Sequence, residues 1–475
     1  MNALVIWVIL PGLAAIVLFA LRRWEKAVHF AGLAIALTLA GLAWQLPIGK
    51  PMSLRLWASM PTISISASLP IFGATFSLDN PLRPIIMMVY LTAGFWFGGA
   101  YAARSGRLFT PLGLAIAALL SAALTVTPVT YAAMLIELAV LVCVPLFSPP
   151  GKPVTRGVRR FLTFQTIGMV LILLADYFLA VASLPNSRPS DQRAAILAVG
   201  LGFAFILPIF PFHSWMPMLA GETNPYSAAF ILYLLPSAVS FFLFDFLIRY
   251  TGTGVAPEMY AALRTIGALM VLTGGLWAVY ENHLGRMLGF VAIQQIGSAL
   301  LALSLNEIAS PSQPLMGLFF AQLIPRSIGL AVFAQSLSIL RQHVPSLQIN
   351  EVAGMARRFP IVSAGLVLSI FSLAGMPLLA SFPVYYSLWS ALAQSYRSLA
   401  FLALLGSAFI LIAGLRVLLV LTRTPPETAW CVSENGLQGS LIGIGLLALL
   451  AIGLAPQLII PYLTNMAILL SSPFP

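Results

Sequence analysis

The stretch Pro208-Ile209-Phe210-Pro211-Phe212-His213-Ser214-Trp215-Met216-Pro217 places three prolines and a histidine inside an otherwise continuous apolar run. Proline lacks a backbone N–H and its ring blocks the preceding helical turn, so no helix runs through here intact. In lipid the freed carbonyls need partners, which restricts such a break to places where protein or a watery cavity receives it. Broken membrane helices are where transporters set their ion paths.

The surrounding sequence is that of an integral membrane protein. Of 475 residues, 60% are hydrophobic and 8% charged, with a mean hydropathy of +0.98; soluble domains carry about 25% charged residues. About fourteen apolar runs reach the roughly 20 residues that span a bilayer. They begin near Leu4, Val28, Leu82, Phe109, Thr130, Phe161, Ala194, Tyr226, Met259, Leu284, Leu315, Ile361, Leu399 and Leu441. They are continuous rather than alternating, so they read as helices and not barrel strands. The first run has Arg22, Arg23 and Lys26 after it instead of before it, and reads as a retained span rather than a cleaved signal.

The net charge of +11 is a topology signal, not a nucleic-acid one. With both termini external, the cytoplasmic loops hold Arg22, Arg23, Lys26, Arg104, Arg107, Lys152, Arg156, Arg159, Arg160, Arg286, Arg341, Arg357, Arg358 and Arg423. The other side holds Lys50, Arg55, Arg83, Arg188, Arg193, Arg249, Arg264 and Arg397. Fourteen against eight follows the positive-inside rule. The two cysteines, Cys143 and Cys431, fall short of the roughly four ligands of an iron–sulfur cluster. The four histidines lack metal-ligand spacing, and the Gly-x-Gly pairs at Gly200 and Gly252 lack a third glycine and a preceding strand. No cofactor, metal or redox site is expected in this chain.

Between spans, Pro47 to Asn80 is the longest connection, and the alternation Thr62-Ile63-Ser64-Ile65-Ser66 predicts a short external hairpin. A second break, Gly375-Met376-Pro377-Leu378-Leu379-Ala380-Ser381-Phe382-Pro383, interrupts the twelfth run. Two interrupted spans about five helices apart are the pattern of an inverted-repeat transporter. The expected repeats are residues 109–249 and 259–421 of a single membrane domain, 1–475, each with its broken helix fourth. The plainer alternative is that both breaks are packing kinks.

Four local motifs, in order, carry a family resemblance. Pro211-Phe212-His213-Ser214-Trp215-Met216-Pro217 resembles the Pro-Phe-His-x-Trp-Leu-Pro signature of the antiporter-like membrane subunits of respiratory complex I (the proton-pumping NADH:quinone oxidoreductase) and of multisubunit sodium/proton antiporters. Arg286-Met287-Leu288-Gly289-Phe290, followed by Ile293-Gln294-Gln295-Ile296-Gly297, is similar to that family's Lys-Arg-Leu-Leu-Ala-Tyr-Ser and Ile-x-Gln-Leu-Gly. Gly354-Met355-Ala356-Arg357-Arg358-Phe359-Pro360 and Ser372-Leu373-Ala374-Gly375-Met376-Pro377 resemble its Gly-Leu-Ala-Arg-x-x-Pro and Ser-Leu-Ala-Gly-x-Pro. The resemblance runs from about Asp79 to Arg416. It implies an all-α polytopic fold of about fourteen transmembrane helices, with two inverted five-helix repeats and discontinuous helices seven and twelve. No counterpart of the long C-terminal lateral helix of one paralogue is expected.

The resemblance also implies a proton path through a glutamate on helix five and lysines on helices seven, eight and twelve. Glu137, mid-span in Met134-Leu135-Ile136-Glu137-Leu138, matches the glutamate. The lysines are gone: Lys26, Lys50 and Lys152 all lie in loops. Ile206 stands at the helix-seven position, Ser237 near the helix-eight lysine and Ile231 near its histidine. Gly329 lies near the helix-eleven group and Tyr385 near the helix-twelve charge. Arg326, about one turn from Gly329, is the basic residue left to replace them, but arginine keeps its proton and cannot relay one by releasing it.

Other candidates are His213 in the break, as proton carrier or helix cap; Asp245, one turn from Arg249 and read as its ion-pair partner; and His283, with Glu281 and Arg286, as a solvated entrance or subunit contact. Glu222 reads as a loop carboxylate, Asp176 lies near the end of the sixth span, and Arg416 reads as a helix anchor. The helix-breaking residues are Pro208, Pro211, Pro377 and Pro383. Ser237, Tyr233, Tyr385, Gln294, Gln295 and Gln322 can order water but store no charge.

The expected function is that of a membrane-arm subunit of a complex I-like NADH:quinone oxidoreductase, contributing to proton translocation with reduced or lost pumping of its own. The alternatives are a subunit of a multisubunit cation/proton antiporter and a non-conducting structural subunit of another membrane complex. The expected partners are other membrane subunits, the lipid bilayer (a bacterial plasma membrane) and protons or monovalent cations.

Overall fold

The computed structural model describes residues 2–46, 48, 65–71, 73–80, 82–151, 153–182, 184, 188–249, 256–308, 315–423 and 431–464. Among these, nine helices are long and apolar enough to cross a membrane. The protein is an integral membrane protein, and its residues gather into two compact units.

The first unit comprises Met1–Tyr101, Gly106–Lys152 and Leu162–Phe203. A π-helical turn, Val5–Ile9, leads into α1 (Leu10–Ala20), followed by α2 (Glu25–Gln45), α3 (Arg83–Gly99), α4 (Phe109–Ala123) and α5 (Val129–Phe147). It also holds most of α6 (Arg156–Ala182) and α7 (Pro189–Ile206). A hairpin joins β1 (Ser68–Ile71) to β2 (Ala74–Ser77), and the short β3 (Val126–Thr127) pairs with β2, so the sheet order is β1-β2-β3, all antiparallel. The hairpin thus begins just beyond the alternating stretch that predicted it; Thr62, Ile63 and Ser64 lie outside the described residues. Its turn holds Gly73 at a φ of +80°, a left-handed conformation glycine adopts at no steric cost.

The second unit comprises Ala102–Ser105, Pro153–Phe161 and Ala204–Pro475. Its helices are α8 (Trp215–Glu222), α9 (Pro225–Arg249), α10 (Ala256–Tyr280), α11 (Leu284–Ser304), α12 (Gly317–Leu340), α13 (Pro360–Leu373), α14 (Phe382–Ser395), α15 (Arg397–Thr422) and α16 (Gly436–Leu454). The windows of α9, α11 and α12 are 100%, 94% and 89% buried, so these three form the centre of the unit while α15 and α16 keep apolar faces outward. Such burial of apolar spans leaves side chains and glycines to set the packing. At Gly275 of α10 a Cβ would lie 2.3 Å from the carbonyl oxygen of Gly406 on α15, so only glycine permits that approach.

Both expected breaks are present. After α7, the chain turns through Leu207 to Pro211, makes one 3-10 turn at Phe212–Ser214 and starts α8 at Trp215. Pro208 and Pro211 lie in the turn itself, where no helical ladder is interrupted. After α13, Gly375 adopts a φ of +79° and its N–H donates to Ser372 O at 3.0 Å, while the N–H of Met376 donates to Phe371 O at 3.0 Å. This is a Schellman closure, which satisfies the last carbonyls of the helix. Pro377 follows in the turn, whereas Pro383 is not in the break but in the first turn of α14, where its missing N–H has no partner to lose.

Candidate functional site: a buried arginine in a polar band

The chemistry of the second unit lies halfway along its central helices. Ser237 on α9, Gln294, Gln295 and Ser298 on α11, and Gln322 and Arg326 on α12 are all buried, and Tyr385 reaches them from the first turn of α14. Two of these residues directly follow a proline inside a helix: Pro236 precedes Ser237 and Pro325 precedes Arg326. Each proline removes one ladder bond, so the helices are locally loosened where the polar groups sit.

Arg326 is 3% exposed. Its Nη2 donates to Ser237 Oγ at 2.7 Å and its Nη1 to the Gln295 carbonyl at 3.4 Å. The guanidinium lies 5.5 Å from the Tyr233 ring centroid, close enough for the ring's negative face to favour the cation. Among the described residues its Nε has no partner and no carboxylate pairs with it. Among the described residues the charge is held by a hydroxyl, a carbonyl and an aromatic ring.

The band continues from there. Ser237 donates to Tyr233 O at 2.6 Å. Tyr385 donates to Gln295 Oε1 at 2.8 Å and sits 3.2 Å from Ser298 Oγ. Gln295 Nε2 reaches Gln294 Oε1 at 2.5 Å and the Leu373 carbonyl, the last residue of α13, at 2.8 Å. The break after α13 is therefore tied into the band twice, once through Leu373 and once through Tyr385. Gln294 Nε2 and Gln322 Oε1 are buried without a hydrogen-bond partner among the described residues, as are Gln335 Nε2 and Ser336 Oγ farther along α12. Buried polar atoms of this kind are usually met by ordered water. A second unit positive charge 5 Å from the guanidinium would be repelled by about 3 kcal/mol at an effective dielectric of about 20.

Glu137, in the first unit, has a different setting. It is half-buried on α5, and its Oε1 accepts from Thr166 Oγ1 of α6 at 2.6 Å. Its Oε2 is buried and has no partner among the described residues. Around it Met134, Leu138 and Leu141 are exposed. Thr166 carried no signal in the sequence, because a lone threonine in an apolar helix most often bonds its own backbone.

The remaining candidates are dispersed. His213 is half-buried in the 3-10 turn of the first break, stacked on Phe210 at 5.5 Å, with its Nδ1 unpartnered among the described residues. No side chain caps α8. His283 is the N-cap of α11: its Nδ1 accepts from the Arg286 N–H at 3.4 Å, and Glu281 Oε1 accepts from the His283 N–H at 3.0 Å. Burial, with Arg286 adding to it, lowers the His283 pKa below the usual imidazole value. The side chains of Asp245 and Arg249 lie outside the described residues. Ile206 is buried at the end of α7. Arg416 anchors α15, donating to the carbonyls of Val279 at 2.5 Å and Glu281 at 2.9 Å and to the Asn282 side chain. Glu222 is not a free loop carboxylate. It closes α8 and its Oε2 accepts from the Gly157 N–H at 2.7 Å, in the first turn of α6, where an anionic acceptor suits the helix dipole.

Residues 161–410, just over half of the chain and including Arg326 and every member of the band, match the family described as NADH:quinone oxidoreductase/Mrp antiporter, TM. The chain belongs to this family. Glu137 lies outside the matched residues. Among curated relatives, the NADH-quinone oxidoreductase subunit N of Pelagibacter ubique is 26% identical over 279 residues, covering 58% of this chain and 57% of that protein. Subunit 14 of the Thermus thermophilus enzyme is 26% identical over 448 residues, covering 90% of this chain and 97% of that subunit. The match thus spans little more than half of the first relative and nearly all of the second. Among solved structures, a chain of the Mrp complex from Dietzia sp. superposes with a TM-score of 0.81 at 18% identity, over 99% of this chain and 97% of that one. A chain of respiratory complex I from Thermus thermophilus superposes at 0.72 and 20% identity, over 98% and 99%. At these identities the superpositions establish the shared fold.

Proposed function

We propose that this chain is a membrane-arm subunit of a complex I-like NADH:quinone oxidoreductase, seated where proton translocation is coupled to electron transfer carried out by other subunits, with its own pumping reduced or lost. The observation that carries this reading is the buried polar band at mid-depth, on an antiporter-family scaffold, with an arginine at its centre and no lysine on α9, α11, α12 or α14; Lys26, expected in a loop, stands in the first turn of α2. A proton relay needs groups that gain and lose a proton; Ser237, Tyr385, Gln294, Gln295 and Gln322 order water without storing charge, and Arg326 does not let its proton go. The alternatives, a cation/proton antiporter subunit and a structural subunit of another membrane complex, share the scaffold and differ in partners and in ion dependence.

The element order supports two repeats at 109–249 and 259–421. The first runs α4, α5, α6, the broken pair α7 and α8, then α9; the second runs α10, α11, α12, the broken pair α13 and α14, then α15. Counting each broken pair as one crossing gives fourteen crossings, which returns the C-terminus to the side of the N-terminus. The arginine-rich loops support an orientation with that side outside a bacterial plasma membrane.

The test is isolation of the complex through a tag on this chain, followed by proton uptake into vesicles with and without sodium. Co-purification of quinone-reducing and iron–sulfur subunits with sodium-independent uptake is the expected result. Small antiporter subunits and sodium-dependent uptake would establish the antiporter reading instead. In the same vesicles, Glu137→Gln is expected to leave assembly and most proton uptake intact; loss of uptake with intact assembly would show that this chain pumps.

A further inference from the structure

We propose that Arg326 makes the polar band of the second unit a barrier that protons and cations do not cross, so that the same groups that hydrate the band also seal it. The inference deepens the reading above and rests on it for its setting. Three observations meet here. Polar side chains run along the inside of the unit, with Gln335 and Ser336 on one side of Arg326 and Gln322 and Ser298 on the other. Buried atoms without partners among the described residues, Gln294 Nε2, Gln322 Oε1 and Arg326 Nε, line the middle, and groups of that kind bind water. At that middle stands a guanidinium with no carboxylate beside it among the described residues.

A chain of water lined by hydroxyls and amides passes protons from molecule to molecule unless a fixed positive charge interrupts it. Pores that admit water and refuse protons and cations use such a charge, an arginine or the positive ends of half-helices. Arg326 meets the requirement in three ways. It is permanently charged. It is held in place by Ser237 and the Gln295 carbonyl, so it does not swing aside. Among the described residues no carboxylate stands beside it to cancel its field. The repulsion on an incoming unit charge corresponds to on the order of a hundredfold fewer crossings. A lysine at this place would be a relay, because burial lets an ammonium lose its proton; the arginine converts the relay into a wall.

The experiment uses the full chain in sealed vesicles that retain an entrapped dye, with passive proton entry read from an internal pH indicator after an external acid step. Wild-type vesicles are expected to match protein-free vesicles. Arg326→Gln removes the charge, and Gln322→Glu keeps the arginine and sets a carboxylate one helical turn away, where it cancels the field. Each is expected to raise proton entry at least tenfold while the dye stays inside. If Arg326→Gln does not fold, Gln322→Glu, which changes neither size nor shape, decides the matter. Vesicles of either folded variant as tight as wild type would overturn the proposal, and so would a wild type that already conducts protons. These outcomes are independent of which subunits co-purify with the chain, so the barrier and the assembly reading fail separately.

Discussion

Glu137 and Arg326 are both membrane charges without an ion-pair partner among the described residues, yet they are built differently. Glu137 is half-buried at an exposed apolar face, has one hydroxyl donor and keeps one oxygen unused. Arg326 is enclosed by α9, α11 and α12, with a hydroxyl, a carbonyl and a ring around it. Position, not charge alone, decides what a membrane ionisable residue does. A half-buried carboxylate held by one hydroxyl leaves an oxygen for a further donor. A guanidinium at the centre, tied to fixed dipoles, can only impose its field.

The contrast predicts which substitutions matter most. The largest effect is expected at the break that supports the central site. Gly375→Ala puts a side chain at a φ of +79° and a Cβ 2.6 Å from the Tyr385 ring. A left-handed non-glycine residue costs roughly 1–2 kcal/mol before any clash, so thermal unfolding in detergent should fall by several degrees. Gly12→Ala, whose Cβ meets nothing within 4 Å, serves as the neutral control. Equal midpoints for the two variants would show that the break does not hold the band in place.

Next comes the hydroxyl that holds the carboxylate. Thr166→Val should cost about 1.5–3 kcal/mol, the range for a hydrogen bond to a charged group, and Thr166→Ser much less. In a Glu137→Gln background the cost of Thr166→Val should shrink to about 1 kcal/mol. An undiminished cost would mean that Thr166 acts through packing and that Glu137 is not anchored by it. Tyr385→Phe should cost about 1 kcal/mol or somewhat more, because Gln295 Oε1 loses a donor inside the band.

The smallest effect concerns pH. A group at a helix end that titrates near neutrality supplies pH sensitivity outside the spans. His283 accepts from the Arg286 N–H only while its Nδ1 is unprotonated, and its pKa in the folded protein is lowered. The unfolded chain therefore takes up the proton first. The stability this group contributes is whole above about pH 6.5 and is lost as pH falls through the lower folded value. His283→Asn keeps a capping side chain and should flatten that acid limb of the stability curve. An unchanged limb would place the sensitivity elsewhere. Separately, Cys431 is exposed and Cys143 buried, so a membrane-impermeant maleimide should label this chain at Cys431, and only from the cytoplasmic face if the termini are external.

Composition and proline placement made the helical membrane fold and both breaks legible, because lipid leaves an apolar backbone few options and proline acts on its own neighbours. The absence of lysine from the central positions was legible for the same reason: a missing residue type needs no structure to be seen. The roles of His283, Glu222 and Arg416 were less so. His283 and Glu222 stand at helix ends and Arg416 within α15, and whether each caps, pairs or faces solvent depends on which element comes back to meet it. Glu222 meets Gly157, 65 positions away.

Residue types alone fix that this chain lies in the membrane, that two of its spans are interrupted, and that the basic residue left beside the missing central lysines is an arginine whose charge is permanent. Only the packing of distant helices brings this arginine to Ser237, 89 positions back along the chain, ties the second break to the same band through Tyr385 and Leu373, and leaves no described carboxylate beside it. The physical reason is that a residue's type fixes its charge and its donors, while the partners that hold or cancel them come from distant helices brought together by packing.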